Sequence, residues 1–308
     1  MKVGRAFQIT VPGSTANLGP GFDSLGLAIN RYLTLAVEPS TEWSFKPLSK
    51  ELQGTPTDKE NLIYKTAYKV ASSMGKELPP CSVSVTSDIP LARGLGSSAA
   101  AIVAAIELAD QLCDLGLSTQ DKLEMASKFE GHPDNVGASV LGGLVVGSHR
   151  DTGTDVLSIS NIDMDIVVAI PRFELMTKEA RNVLPEQLSH RQAVEASAVS
   201  NVLLAALLSK NWELAGKMMD LDLFHQPYRK KLIPEIEEIS IAAKRSGAFG
   251  VALSGAGPTV ICFAEMGEGR RVMENVAPLF GHLSVEQLRI DRVGSTVTTL
   301  ALNEGTSK

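Results

Sequence analysis

Apolar and polar residues alternate along "CSVSVTSD" (81–88), the period of a strand with one buried face. "AFQITVPGS" (6–14) and "YLTLAVEPS" (32–40) have the same character and end at Pro or Gly, which predicts two further strands. From residue 98 to 113 the period becomes helical, and a second helix is predicted over 119–129. "LGGLVVGSH" and "DIVVAIPR" read as strands. Between them, over 151–163, the chain turns to Asp, Thr, Ser and Asn, the best candidate for a domain boundary. The second half predicts a polar segment "ELMTKEARNVLPEQLS", helices over 191–208, 212–219 and 234–245, and then "GVALSGAGPTVICFAE", two short strands joined by a glycine turn. No fixed-period repeat or low-complexity segment interrupts this order.

Composition narrows the class. At 308 residues the chain exceeds what one core usually organises, so two domains are expected, 1–155 and 156–308, with one large α/β domain as the alternative. A hydrophobic content of 44% against 21% charged residues supplies a sizeable core and excludes general disorder. The net charge of -6 excludes a broad nucleic-acid surface while allowing a local basic pocket. Cys81, Cys113 and Cys262 stand apart with no CxxC pair and apolar neighbours, so buried free thiols of a reducing compartment are expected. With no signal-peptide-like start, and the most apolar run (99–106) far short of a membrane span, the expected location is cytoplasmic.

The segment richest in chemistry is "PLARGLGSSAAA" (90–101). A strand precedes it and a helix follows, so Gly94 and Gly96 can turn the chain while the first helical N–H groups point into the turn. Such a helix start attracts anions, and two serine hydroxyls there can bond phosphate oxygen or a metal ion. The plainer reading makes Ser97 a helix cap and the glycines mere turns. No G-x-x-x-x-G-K-[ST] phosphate loop occurs. Gly94 to Ala99 match G-x-G-x-x-A, but the linker "SDIPLAR" holds the glycines away from the strand end, unlike a dinucleotide fingerprint. Two more glycine-rich turns, "VPGSTANLGPGFDSLGLA" and "LSGAGPTV", gather Ser, Thr, Asn and Asp where backbone can approach a ligand.

These three turns together resemble the motifs of the GHMP small-molecule kinases, named for kinases of galactose, homoserine, mevalonate and phosphomevalonate. "STANLGPGFD", "PLARGLGSSAAA", "EGHPDNV", "TKEARNVLP", "PYRKKLIP" and "LSGAGPT" resemble the branch acting on homoserine, in order and spacing, across nearly the whole chain. Gly13, where alanine is more frequent in the family, is a small-for-small departure. The resemblance implies an α+β, two-domain fold, ribosomal protein S5 domain 2-like at the N-terminus and ferredoxin-like at the C-terminus. It further implies ATP-dependent phosphorylation of the L-homoserine hydroxyl to O-phospho-L-homoserine, on the route to threonine. The partner is then a small molecule, without nucleic acid or membrane, and a homodimer is a family-level expectation.

Carried onto this chain, the resemblance gives the ATP phosphates to Leu91, Ala92, Arg93, Gly94, Leu95, Gly96, Ser97, Ser98, Ala99, Ala100 and Ala101. Ser98 and Glu130 would hold Mg2+, a hydroxyl and a carboxylate being suited to a hard cation. Asn61 lines the adenine pocket or caps a helix. For a zwitterion, Asp23 matches the ammonium and Arg181 and Arg229 the carboxylate, with Asn17 and His132 orienting the substrate. "EGHPDN" makes a poor metal cluster, because no second histidine stands at a ligand spacing. Asp134 and Asn135 sit side by side at the acceptor; Asn135 is favoured there, and which of the two reaches the hydroxyl is open. Three other functions compete: a mevalonate-type kinase, which Asp23, Arg181 and Arg229 argue against; a non-catalytic ATP or amino-acid sensor; and, more distantly, a nicotinamide-dependent oxidoreductase.

Overall fold

The computed structural model describes residues 6–300. In chain order the elements are β1 (Phe7–Ala16), β2 (Leu25–Pro39), β3 (Ser44–Pro47), α1 (Leu62–Ser73), β4 (Cys81–Ser87), α2 (Ser97–Cys113), α3 (Thr119–Glu130), α4 (Asp134–Leu141), β5 (Leu144–Arg150) and β6 (Gly153–Ile159). There follow β7 (Asp165–Ile170), α5 (Thr177–Asn182), α6 (His190–Leu208), α7 (Trp212–Asp220), α8 (Gln226–Arg229), α9 (Ile236–Arg245), β8 (Ala248–Leu253), β9 (Val260–Ala264), α10 (Gly269–Val276), β10 (Ser284–Leu288) and β11 (Thr296–Thr299). Among the described residues no helix is long and apolar enough to cross a membrane.

The first sheet runs β11-β1-β2-β4-β3, with β5 on the free length of β2 and β6 on β5. Strand β2 begins well before the expected residue 32, because its first part pairs with β5 and its second with β4 while β1 follows it along both. Its glycine content suggests a loop; in the fold Gly26 lets α4 approach, since a Cβ there would overlap the Asp134 carbonyl oxygen. Helix α2 lies over this sheet. Ala99, Ala100, Ala104, Ala105 and Ala109 are buried, and their small side chains bring it close to β1 while α1, α3 and α4 surround it. A helix apolar nearly all round belongs at the centre of a core.

The second sheet, β10-β7-β9-β8, is antiparallel, and both of its faces are covered. Ile166, Val168, Ala252, Ile261 and Phe263 pack toward the core that includes Leu203, Leu207 and Met219, whereas Val167, Ala169, Val251 and Cys262 meet Ile239, Ala243 and Val272 of α9 and α10. Double coverage is why "DIVVAI" reads as a continuous apolar run. The residue 155/156 division falls inside β6, which pairs with β5; the chain passes to the second sheet over 160–164 and returns for β11 to pair with β1. Cys81 and Cys262 are buried free thiols, both pushed up to about 12 by burial. Cys113, expected inside, is only partly covered because it ends α2 where the helix leaves the core.

Candidate functional site

The three glycine-rich turns meet at one point. Ser14 N–H donates to the Leu95 carbonyl (3.2 Å), and Ser254 Oγ lies 2.8 Å from Thr15 Oγ1 and 2.5 Å from the Gly94 carbonyl oxygen. Asn17 donates to the Gly255 carbonyl (3.0 Å) and accepts from the Asp23 N–H (3.0 Å). At the centre Gly96 caps α2 with φ +75°, a left-handed angle that favours glycine. A Cβ on Gly96 would lie 2.7 Å from the Ser14 nitrogen, so this glycine also lets the first motif pack against the second. The first bond into the helix is Ala100 N–H to Gly96 O, and among the described residues no side chain or loop carbonyl accepts from the N–H groups of Ser97, Ser98 and Ala99. That end of the helix is therefore open to an anion.

Two cavities share this helix start. A small one of about 80 Å3 is lined by Gly94, Gly96, Ser97, Ser98 and Ala99 together with Asn17, Asp23, Glu130, His132, Asp134, Asn135, Thr177, Arg181 and Arg229. A larger, mainly apolar one of about 430 Å3 is lined by Leu33, Phe45, Asn61, Ile63, Val85 and Ile89, with Leu91, Ala92, Ser97, Ser98 and Ala101 on its rim toward the first. Asn61 caps a helix, and it also faces a cavity. It lines the larger cavity, and its Oδ1 caps α1 by accepting from Ile63 N–H (2.9 Å) while Nδ2 donates to Pro56 O (2.7 Å).

Three residues of the 91–101 segment have side chains outside both cavities. Leu95 and Ala100 are buried in the core. Arg93 turns away: it donates to the carbonyls of Pro171 (3.0 Å), Leu91 (2.9 Å) and Arg172 (2.6 Å) and pairs with Glu174. Its guanidinium braces the turn against the segment after β7 and lies outside both cavities.

The charged groups of the small cavity are mutually organised. Arg181 closes on Asp23 with two hydrogen bonds, Nη2 to Oδ1 at 2.8 Å and Nη1 to Oδ2 at 3.1 Å. Arg229 is buried and bound to neutral acceptors, the Ala180 carbonyl (3.1 Å), the Gly255 carbonyl (3.0 Å) and His225 Nδ1 (3.3 Å). No carboxylate of the described residues forms an ion pair with it. Burial, and then the neighbouring Arg181, lower the Arg229 pKa to about 10. Phe22 lies beside both guanidinium groups, 5.6 Å from that of Arg181 and 5.3 Å from that of Arg229.

Ser98 Oγ donates to Glu130 Oε2 at 3.4 Å. Burial pushes the Glu130 carboxyl above its ordinary value despite the cationic influence of His132. His132 Nδ1 makes a short contact with Asp134 Oδ1; burial opposes its charge, but the Asp134 carboxylate raises its pKa on balance. Asn135 donates to Ser14 Oγ (3.0 Å), so its amide and the Asp134 carboxylate both line the cavity. Asp23 comes within metal-ligand spacing of His132 and Asp134, a grouping invisible in sequence, though Arg181 beside it disfavours a cation there.

Sequence reasoning missed Thr177, which lines both cavities, and Phe22. The signal for Thr177 was at hand in "TKEARNVLP"; Phe22 carried none beyond its place beside Asp23.

The chain is similar to known proteins in sequence and in fold. The family model described as the GHMP kinases N terminal domain matches residues 61–143, and that for the GHMP kinases C terminal matches 203–279. A homoserine kinase of Bacillus licheniformis is 54% identical over 297 residues, 96% of this chain and 97% of its own. One from Halalkalibacterium halodurans is 52% identical over 299 residues, 97% of each chain. The crystal structure of homoserine kinase from Cytophaga hutchinsonii superposes with a TM-score of 0.84 at 27% identity, covering 97% of this chain and 99% of that one. The architecture is the two-domain GHMP kinase fold.

Proposed function

The chain belongs to the GHMP kinases, and from that membership we propose that it is a homoserine kinase, converting L-homoserine and ATP to O-phospho-L-homoserine and ADP. The observation that carries the reading is one cavity in which a helix start open to anions lies next to a carboxylate and two arginines. Anion site and zwitterion site are thus within one small space, as transfer of a phosphoryl group to an amino-acid hydroxyl requires.

The adenine enters the apolar cavity and the phosphates lie over the N–H groups of Ser97, Ser98 and Ala99. Homoserine offers its ammonium to Asp23 and its carboxylate to Arg181 and Arg229, which directs its hydroxyl toward Asp134 and Asn135. The hydroxyl oxygen forms a bond to the γ-phosphorus as the bond to the β–γ bridging oxygen breaks and ADP leaves. The hydroxyl proton passes to a γ-phosphate oxygen or to Asp134, while Asn135, held by Ser14, orients the acceptor.

Ser98 and Glu130 suit Mg2+ as a donor set: hydroxyl and carboxylate are adjacent, and burial leaves Glu130 short of a compensating cation. The ion, when bound, would neutralise charge on the phosphates. Reduced thiols and soluble substrates fit work in the cytoplasm.

A coupled ADP-release assay over homoserine, mevalonate, galactose and threonine tests the function. Homoserine alone should give rapid turnover. Preference for mevalonate or galactose overturns the substrate, and ATP binding without turnover of any of the four makes the chain a sensor.

A further inference from the structure

His225 is fully buried four residues before Arg229, at the start of α8, and touches both Arg229 and the loop that carries Asp23. Its Nε2 faces only oxygen acceptors, the Gly19 carbonyl at 2.9 Å and Asp222 Oδ2 at 3.3 Å. Its Nδ1 faces Arg229 Nη1 at 3.3 Å, and a guanidinium can only donate. The ring is therefore neutral, protonated on Nε2 and accepting on Nδ1. It also stacks on Phe22 (centroids 5.4 Å apart), the side chain beside Arg181 and Arg229. Asp222 fixes the turn by accepting from the N–H groups of Phe224 (2.7 Å) and Gln226 (2.8 Å).

Resting on the homoserine-kinase reading, we propose that His225 is a positioning residue for substrate recognition: its Nδ1 holds Arg229 Nη1 so that the rest of the guanidinium is presented to the substrate carboxylate, while its Nε2–H ties down the loop that carries Asp23. Arg229 needs such a fixture. Ala180 O takes its Nε and Gly255 O shares Nη1 with His225, and among the described residues Nη2 forms no hydrogen bond. Without a carboxylate partner this buried arginine keeps its orientation through neutral acceptors and the Phe22 ring, and among the described residues His225 is the only side chain that accepts from it. Burial also opposes a charge on His225, with Arg229 acting in the same direction and Asp222 and Asp23 against it.

Two substitutions separate the two nitrogens. His225→Gln keeps a donor near the Nε2 position and loses the acceptor for Arg229; His225→Asn keeps an acceptor near Nδ1 and loses the reach to Gly19. His225→Gln should raise the homoserine KM about tenfold, the scale of one hydrogen bond to a charged group, with the ATP KM within twofold. His225→Asn, which frees the loop that carries Asp23, should also raise the homoserine KM but leave recognition of the carboxylate intact. Homoserine amide supplies the readout that a merely structural role would not move: the preference for homoserine over its amide should shrink about tenfold in His225→Gln and stay near wild type in His225→Asn.

An unchanged preference in His225→Gln, or an equal loss of that preference in both variants, overturns the proposal while wild-type turnover of homoserine keeps the functional reading; absence of wild-type turnover defeats that reading first. A measurement on the unaltered protein needs no variant to fold. Long-range 1H–15N spectra of its five histidines should show one neutral Nε2–H ring that resists protonation as the pH falls below the ordinary histidine range, and a spectrum without such a ring refutes the assignment.

Discussion

Arg181 and Asp23 face each other across the small cavity through two hydrogen bonds, joining α5 to the loop after β1. Their side chains are 38% and 34% exposed, so the pair contributes only about 0–1 kcal/mol to stability. On the proposed reading homoserine exchanges with it, ammonium to Asp23 and carboxylate to Arg181. Asp23→Ala and Arg181→Leu should each raise the homoserine KM tenfold to a hundredfold, leaving the ATP KM within about twofold and Tm lowered by only about 2–4 °C. Each single change also leaves a bare charge, so the double variant should lose less than the two losses added. Steady-state kinetics and melting curves decide it; an unchanged homoserine KM in both variants removes the pair from the substrate site.

Ser98 and Glu130 meet at 3.4 Å beside the open helix start. Ser98→Ala and Glu130→Gln should each lower kcat on the order of a hundredfold, as loss of one electrostatic contact to a transferring group does. The Mg2+ concentration for half-maximal rate should rise in both. Because burial disfavours the Glu130 charge, Glu130→Gln should keep or raise the Tm of the metal-free protein. Turnover like wild type in both variants at every Mg2+ concentration excludes them as ligands.

His225 makes stability depend on pH with a definite sign. Burial depresses its folded-state pKa below the ordinary 6.5, so as pH falls the unfolded chain takes up this proton before the folded one. Its contribution is complete above about pH 6.5 and is lost as the pH drops below it, with a slope approaching one proton. Urea unfolding at pH 5, 6 and 7 should show a shallower fall for His225→Asn than for wild type; parallel curves assign the acid sensitivity to other groups.

Gly96 matters to the turn as well as to the anion site. From sequence, a side chain at this position should hinder the phosphates more than the fold, while also disfavouring the turn. In the structure that side chain also meets the Ser14 backbone, with a left-handed φ of +75° adding about 1–2 kcal/mol of strain. Gly96→Ala should therefore lower Tm and ATP affinity together. Gly255, with φ +58° but its nearest neighbour 3.6 Å from a Cβ, should tolerate Ala with the dihedral cost alone. Calorimetric melts and ATP titrations of the two variants give the comparison, and a Gly96→Ala protein as stable as wild type contradicts the packing argument.

The same contrast marks what local sequence carries. A helix start such as 96–101 and a polar cluster such as 14–23 state their chemistry within a few residues, because glycine angles, hydroxyls and free amides act locally. The pairing of Asp23 with Arg181, the turning of Arg93 onto the Pro171 carbonyl and the return of β11 to β1 depend on segments distant in sequence, and no period or motif encodes them. Helix α4 has no signal in sequence for a related reason: it is short, Pro133 at its N-cap position offers no side-chain cap, and it contains Gly137, where a Cβ would come within 3.1 Å of Val156.

The apolar cavity gives the final prediction. Its walls are Leu33, Phe45, Ile63, Val85 and Ile89, and Ala101, just beyond the helix start, forms part of its rim. If the adenine lies there as proposed, Ala101→Phe would fill its space, so the ATP KM should rise tenfold or more while the homoserine KM holds. Asn61 refines the test, since its Oδ1 caps α1 and its Nδ2 binds Pro56. Asn61→Asp retains the cap and removes the donor, whereas Asn61→Ala removes both and should cost about 1 kcal/mol of stability. If Asn61 also meets the nucleotide, Asn61→Asp should raise the ATP KM severalfold at nearly constant Tm, because a carboxylate now borders the site of a base and three phosphates. An ATP KM unchanged in Asn61→Asp confines Asn61 to capping, and one unchanged in Ala101→Phe places the adenine elsewhere.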